Sequence, residues 1–185
     1  MIEFKKVSFA YEDKPVIENF DLLIPDGKVT AIMGLSGLGK TTVMKLAIGL
    51  LTPQDGEIIR DYASASYLFQ ENRLFETSVI NNLLMVGIPR EKAIDLLQKF
   101  DLQKDIDTPV DKLSGGMARR VAIARMLGVE SEMYFIDEPI KELDEHHRNK
   151  ALELIREYTK NKTVMLITHD LEEAEYLNAK IISLN

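Results

Sequence analysis

The segment 34–41, GLSGLGKT, constrains the fold of this chain more than any other. It follows a short apolar run at 28–33 that predicts a strand, and it precedes 41–51, whose apolar residues have helical spacing. Glycines let the backbone curl so that its N–H groups point inward, and a helix starting there adds its positive dipole end. The spacing G-x-x-x-x-G-K-[ST] therefore predicts a phosphate-binding loop, with Lys40 on the β- and γ-phosphates and Thr41 on Mg²⁺. The alternative is a glycine-rich turn with a surface lysine.

A second segment, 133–139 (MYFIDEP), is an apolar run that ends in two acids. The carboxyl ends of parallel strands face the ligand crevice, so this strand can bring Asp137 to a metal beside the phosphate loop. Glu138 would then orient or deprotonate an attacking water. Alone, such a run is more often a solvated strand end, but the loop at 34–41 favours the functional interpretation. Together the two segments predict a P-loop NTPase.

The rest of the chain predicts an α/β fold. Apolar strand-like segments at 65–69, 133–136 and 162–168 alternate with helical segments, which predicts a mostly parallel sheet covered on both faces. Looser alternation at 2–9 and 16–24 predicts an N-terminal antiparallel subdomain. Strand signals stop between Gln70 and Leu113, where 77–86 and 90–100 read as amphipathic helices. We expect a single domain over 1–185, with a nucleotide-binding core at 1–71 and 126–185 and an inserted helical lobe at 72–125.

Composition excludes several other classes. The absence of cysteine rules out a disulfide framework and thiolate zinc sites. A net charge of −7 without a basic tract argues against nucleic acid as a partner, and at first sight against any polyanionic ligand. The most basic stretch, 117–125, reads as a helix face. No signal-peptide pattern opens the chain, and no segment approaches the ~20 apolar residues of a membrane span. At a membrane, another chain must supply the spans.

Residues 113–117, LSGGM, narrow the class of P-loop NTPase to which the chain can belong. A serine and two glycines before an apolar helix predict a second helix N-terminus that could bind an anion, with Ser114 as its cap. Two such sites far apart in one chain are seldom needed for one nucleotide. Here the chain resembles the ATPase subunits of ATP-binding cassette (ABC) transporters, whose signature LSGGQ it matches at four of five positions. The resemblance runs nearly from end to end, in the family's order and spacing.

The resemblance implies roles for residues that match the family's motifs. Tyr11 would stack on adenine, and Leu143 with Asp144 would form the D-loop that crosses a dimer interface. The phosphate loop would comprise Gly34, Leu35, Ser36, Gly37, Leu38, Gly39, Lys40, Thr41 and Thr42. The nucleotide held by the other protomer would meet Ser114, Gly115 and Gly116. Catalysis is implied for Glu138 as base, His169 on the γ-phosphate, Gln70 and Lys40. The metal would be held by Thr41, Gln70 and Asp137.

As a whole, the resemblance implies an ATP hydrolase that uses ATP and Mg²⁺ and closes as a dimer around two nucleotides. Its partners would be a second ATPase protomer, membrane-spanning permease subunits and a substrate-binding protein, which implies a cytoplasmic place on the inner face of the membrane. The segment FQENRLF at 69–75 resembles bacterial importers of the nitrate, sulfonate and thiamine-precursor group. The alternative is a non-transport or regulatory ABC module that acts on a soluble partner.

Two residues depart from the family's pattern, and two further interpretations compete with the one above. Met117 stands where the family most often has glutamine, and a thioether cannot donate the amide's hydrogen bonds, which would weaken signalling across the dimer. The family tolerates variation at this position, so the residue does not imply inactivity. The interpretation of the chain as a module that binds nucleotide but hydrolyses little of it depends on Met117 alone. Thr42 replaces a common serine. His146 and His147 with flanking acids suggest a metal cluster, but neighbouring side chains in a helical turn point apart, which disfavours it.

Overall fold

The computed structural model describes residues 1–184, so Asn185, the last residue of the predicted core, lies outside the described residues. The chain forms two compact units. The first comprises Met1–Ala65, Glu132–Asp137 and the segment from Asn161 onward. The second comprises Ser66–Ser131 and Glu138–Lys160. The predicted bounds of core and lobe, 1–71, 72–125 and 126–185, stay a prediction.

The first unit contains an antiparallel and a parallel sheet. The antiparallel sheet has the order β2-β1-β4, where the strands are β1 Ile2–Tyr11, β2 Lys14–Ile24 and β4 Asp55–Arg60. The parallel strands are β3 Val29–Met33, β6 Met133–Asp137, β7 Thr163–Ile167 and β8 Lys180–Ser183. They lie in the order β5-β6-β7-β3-β8, and β5, Ala65–Leu68, is where the chain leaves this unit. The helices of this unit are α1 Lys40–Ile48 and α6 Leu171–Tyr176.

The central strands of the parallel sheet are apolar because they are buried on both faces. Every residue of β6 and of β7 is buried, and such strands read as continuous apolar runs without alternation. In the sheet Ile32 pairs with Ile167, and Ile167 pairs with Asp137. The carboxyl ends of β3, β7 and β6 therefore lie at one level. The predicted α/β fold, with its parallel sheet and its N-terminal antiparallel sheet, is confirmed.

The second unit is mostly helical. Its helices are α2 Val79–Leu84, α3 Arg90–Lys99, α4 Gly115–Gly128 and α5 Glu145–Tyr158, with one 3-10 turn at Val110–Lys112. Helix α4 is the central one, because nine of its residues are buried and it packs against α2, α3 and α5. Helix α2 is shorter than the predicted 77–86, since Ser78 caps its N-terminus by accepting a hydrogen bond from the N–H of Asn81.

Two elements were not predicted. Strand β4 carries the sequence DGEIIR with most of its residues exposed, so it lacks the apolar run that marks the other strands. Helix α6 has six residues and is fixed by its N-cap, Asp170, which accepts from the N–H groups of Glu172 and Glu173. Among residues 1–184, no helix combines the length and the apolar character that crossing a bilayer requires.

Two glycines with nearly equal left-handed φ provide a test of the packing of β4. Gly56 has φ +82° and Gly87 has φ +83°. A Cβ on Gly56 would overlap the backbone carbonyl oxygens of Lys5 and Lys6, whereas a Cβ on Gly87 meets nothing within 4 Å. Gly87→Ala should cost about 1 kcal/mol of unfolding free energy from φ alone. Gly56→Ala should cost more than about 3 kcal/mol, because steric overlap with the backbone adds to the strain.

Urea unfolding followed by circular dichroism measures both variants against the unchanged chain. Equal losses in the two variants would contradict the close approach of β1 to β4.

Candidate functional site

The loop between β3 and α1 has the curl that the sequence predicts. It runs from Gly34 to Gly39, and Gly39 is the N-cap of α1 with φ +86°. A Cβ on Gly39 would lie 2.7 Å from Cγ1 of Val16, so the position excludes side chains by space as well as by φ. The other residues of the loop are Leu35, Ser36, Gly37 and Leu38. Leu35 is 80% exposed at the outside of the turn.

Lys40 folds back over this loop. Its side chain is 9% exposed, and Nζ donates to the carbonyl oxygens of Gly34 and Leu35, each at 2.8 Å. The ammonium group is thus fixed at the beginning of the loop by backbone acceptors. Lys40 is therefore not the surface lysine of the alternative interpretation.

Thr41 and Asp137 meet although they are far apart in the sequence. The Oγ1 of Thr41 lies 3.2 Å from Oδ2 of Asp137. Asp137 is the last residue of β6 and is 1% exposed. A hydroxyl and a carboxylate at this distance form a pair of hard oxygen donors, which are the ligands that Mg²⁺ prefers. This contact joins the glycine-rich segment 34–41 to the acidic end of the segment 133–139.

The turn after β7 holds His169. Thr168 is buried; its Oγ1 accepts from the N–H of Asp170 at 2.9 Å and donates to the carboxylate of the buried Glu173. His169 lies between Thr168 and Asp170, which are joined by the first of these hydrogen bonds, and is exposed. The side chain therefore projects from a rigid turn at the carboxyl end of a central strand.

Tyr11 ends β1 beside the helix of the phosphate loop. Its ring is 43% exposed and meets Phe9 in a T-shaped arrangement with ring centroids 4.9 Å apart. Its hydroxyl lies 3.5 Å from Oγ1 of Thr42. An aromatic ring anchored on two sides and open on another matches the implied adenine contact, which stays a prediction.

Gln70 and Glu138 belong to the second unit and contact each other. The Nε2 of Gln70 donates to Oε2 of Glu138 at 3.3 Å. Glu138 directly follows Asp137, is half-buried and has φ +45°, a left-handed conformation that costs a non-glycine residue roughly 1–2 kcal/mol. Strain of this kind concentrates at functional sites. The structure thus brings together two of the four residues implied for catalysis.

Ser114 caps α4 as predicted, because its Oγ accepts from the backbone N–H of Met117 at 3.2 Å. This cap uses the main chain of Met117 and does not depend on its thioether. A cavity of about 300 Å³ is lined by Ser114, Gly116, Met117, Leu143 and Asp144, among others. The signature and the predicted D-loop thus face one cavity.

The two neighbouring histidines do not point apart as expected. The rings of His146 and His147 meet in a T-shaped contact with centroids 5.2 Å apart, and both lie near Asp101. His147 Nδ1 lies 2.7 Å from Asp144 Oδ2, and Lys150 Nζ donates to both oxygens of Asp101 at 2.8 Å. The pKa of Asp101 is lowered, chiefly by the hydrogen bond from Lys150. These contacts link α5 to the end of α3.

The buried arginines of α4 were not predicted from the sequence. Arg119 and Arg120 lie in the stretch 117–125 that reads as a helix face, yet their exposed fractions are 1% and 8%. A signal was present: the residues that follow, Val121, Ala122, Ile123 and Ala124, are apolar on every side of the helix. A helix of that kind is buried all round.

Comparisons with known proteins agree with this geometry. The family model described as ABC transporter matches residues 17–141. The Fe(3+) ions import ATP-binding protein FbpC of Escherichia coli (strain K12) is 32% identical over 205 aligned positions, which span 100% of this chain and 59% of that protein. The aliphatic sulfonates import ATP-binding protein SsuB 1 of Agrobacterium fabrum is 35% identical over 190 positions, 97% of this chain and 69% of that protein. The chain therefore spans about three fifths of the length of the iron-import relatives.

Solved structures show the same fold. The dimeric ATP-binding cassette MJ0796 in a post-hydrolysis state bound to ADP and Pi superposes with a TM-score of 0.88 at 25% identity, covering 100% of this chain and 94% of that chain. A structure described as the ATP binding subunit of an ABC transporter gives a TM-score of 0.89 at 27% identity, with 100% and 86% covered. These matches agree with three features of the site: the glycine loop contacted by Lys40, the Thr41–Asp137 pair and the helix capped by Ser114. The chain belongs to the ABC transporter family.

Proposed function

We propose that this chain binds ATP with Mg²⁺ and hydrolyses it to ADP and phosphate, and that it energises a bacterial importer. The observation that carries the proposal is the joining of Thr41 to Asp137 beside a glycine loop that encloses Lys40. The loop supplies backbone N–H groups, the dipole of α1 and one ammonium charge to a triphosphate. The import proteins and the ADP-bound cassette to which the chain is similar support the same activity.

The residues at the end of β6 fit a magnesium ion. Thr41 and the buried Asp137 offer only oxygen donors, 3.2 Å apart, and the chain has no cysteine that would favour a softer metal. Thr41, Asp137 and Gln70 are the residues that would hold the ion. A bound Mg²⁺ would supply positive charge to offset the negative charge of the phosphate oxygens.

Hydrolysis needs a base for the attacking water. We assign that role to Glu138, because its carboxylate is half-buried, follows Asp137 directly and accepts a hydrogen bond from Gln70. Glu138 takes the proton from the water, and Gln70 orients the water and the carboxylate. His169 hydrogen-bonds the γ-phosphate, and Lys40 stabilises the charge that develops on it. Tyr11 stacks on the adenine.

The second anion site indicates a dimer. The N-terminus of α4, with Ser114, Gly115 and Gly116, is a helix N-terminus without an acidic residue in its first turn, which suits a phosphate group. We propose that it binds the nucleotide held by a second protomer. The γ-phosphate then bridges both protomers, so ATP closes the dimer and hydrolysis opens it. The cassette MJ0796 is described as dimeric, which supports this arrangement.

The membrane partner is proposed to dock beside Gln70. A cavity of about 570 Å³ begins two residues after Gln70 in the sequence and is lined by Asn72, Leu74, Glu76, Thr77, Pro109 and Val110, among others. Phe75, next to it, is 42% exposed. A permease segment in this groove would sense the loop that carries Gln70. The chain would then lie on the inner face of the membrane, and a binding protein would deliver the substrate outside. We propose no nucleic-acid partner, because the net charge is −7 and the chain has no basic tract.

Glu138→Gln separates binding from hydrolysis. Removing the general base should lower ATP turnover by about 10²- to 10⁴-fold, while the phosphate loop keeps its affinity for ATP. The variant should elute as a dimer in gel filtration with ATP and Mg²⁺, because the bridging γ-phosphate persists. Glu153→Gln, an exposed carboxylate on α5, is the matched control and should turn over ATP normally. If Glu138→Gln stays a monomer in ATP, or turns over ATP within twofold of the unchanged chain, the assignment of Glu138 as the general base is contradicted.

Leu74→Asp tests the docking groove. A charge in the cavity should abolish recovery of a membrane-spanning chain in a detergent pulldown from native membranes, because the groove loses an apolar contact, whereas ATP turnover of the purified chain stays within about twofold. Met85→Asp places the same charge on the exposed C-cap residue that follows α2, outside that lining, and should leave the pulldown unchanged. Recovery of the permease with both variants would place the contact elsewhere.

A further inference from the structure

Arg119 is a buried guanidinium that joins the two loops carrying Gln70 and Glu138. It is the fifth residue of α4, is 1% exposed and is the largest fully buried side chain among the described residues. A charged group is removed from water only where several acceptors replace its hydration. The position of those acceptors therefore shows what the arginine holds.

The acceptors come from two separate segments of the second unit. On one side, Nη2 donates to the carbonyl oxygen of Glu138 at 2.6 Å and Nε to that of Pro139 at 2.9 Å. On the other side, Nη1 lies 2.7 Å from the carbonyl oxygen of Phe69 and 3.3 Å from that of Gln70. It also lies 3.4 Å from Oδ1 of Asn72. One planar group thus fixes the spacing of two backbones.

The same two segments face each other a second time, through side chains. Gln70 Nε2 donates to Glu138 Oε2, so the residues linked by their main chains through Arg119 are also linked directly. Glu138 adopts φ +45°, and such a conformation persists only where its surroundings hold it. The bond from Arg119 to the carbonyl of Glu138 is one such constraint. A lysine has a single compact donor group and cannot reproduce the fork.

We propose that Arg119 is a positioning residue for hydrolysis, which holds the carboxylate of Glu138 and the amide of Gln70 in the arrangement that activates water, without touching the nucleotide. This rests on the proposed function, since it takes Glu138 as the base. The phosphate loop, which provides affinity for ATP, belongs to the other unit. Replacing Arg119 is therefore expected to lower kcat and to leave KM for ATP nearly unchanged.

The test compares Arg119→Met with Arg119→Lys and with Arg125→Met. Arg125 lies on the same helix, and its hydrogen bonds go to the carbonyl of Arg73 and the side chain of Asn82. Misplacement of a reacting group by about 1 Å costs up to ~10²-fold in rate. We expect Arg119→Met to lower kcat at least tenfold with KM for ATP within about threefold, Arg119→Lys to recover part of the loss, and Arg125→Met to stay within about twofold.

Hydrogen exchange on the same proteins supplies a readout independent of turnover. In Arg119→Met, peptides covering 69–72 and 138–141 should exchange faster than in the unchanged chain, while Arg125→Met leaves 138–141 protected. If the unchanged chain fails to hydrolyse ATP, the proposed function falls and the exchange data alone decide whether Arg119 holds the loops. Unchanged exchange in both segments, or an Arg119→Met protein with normal kcat, overturns the inference.

Discussion

The in-register pairing of three buried parallel strands is the constraint on which the proposed nucleotide site depends. Ile32 of β3, Ile167 of β7 and Asp137 of β6 share one row of the sheet. The chain therefore delivers three things at one edge: the glycine loop after β3, the carboxylate that ends β6 and the turn with His169 after β7. Each strand is fixed by apolar burial on both faces. The chemistry of the edge is thus positioned by residues that take no part in it.

Local fields, and not the net charge, decide which ligand this surface suits. The net charge of −7 argues at first against a polyanion. Locally, however, the loop lies at the positive end of α1 and holds the ammonium group of Lys40 at 2.8 Å from two backbone carbonyl oxygens. In the second unit, the buried Arg119 does not face a ligand; it donates hydrogen bonds to backbone carbonyl groups and thereby fixes two loops. Two cations of the chain thus act through geometry rather than through bulk charge.

Features set by neighbours in sequence were predictable, and features set by tertiary contact were not. The strand, loop and helix around Lys40 follow from local spacing, and so does the capping of α4 by Ser114. The burial of Arg119 depends on carbonyl groups contributed by residues 69–70 and 138–139, which no local pattern of 117–125 contains. Strand β4 was missed because its pairing with β1 leaves most of its side chains exposed. The rings of His146 and His147 meet because contacts of Asp144 and Asp101 override the helical spacing.

The central claim is that the loop around Lys40 and the Thr41–Asp137 pair form one site for ATP with Mg²⁺. Titration calorimetry of the purified chain with ATP, in Mg²⁺ and then in EDTA, tests it most directly when repeated on Asp137→Asn. Saturable binding that weakens in EDTA, and that in Asp137→Asn has lost its dependence on Mg²⁺, is the predicted result. No saturable binding of ATP, or binding in Asp137→Asn that responds to Mg²⁺ as the unchanged chain does, would contradict it.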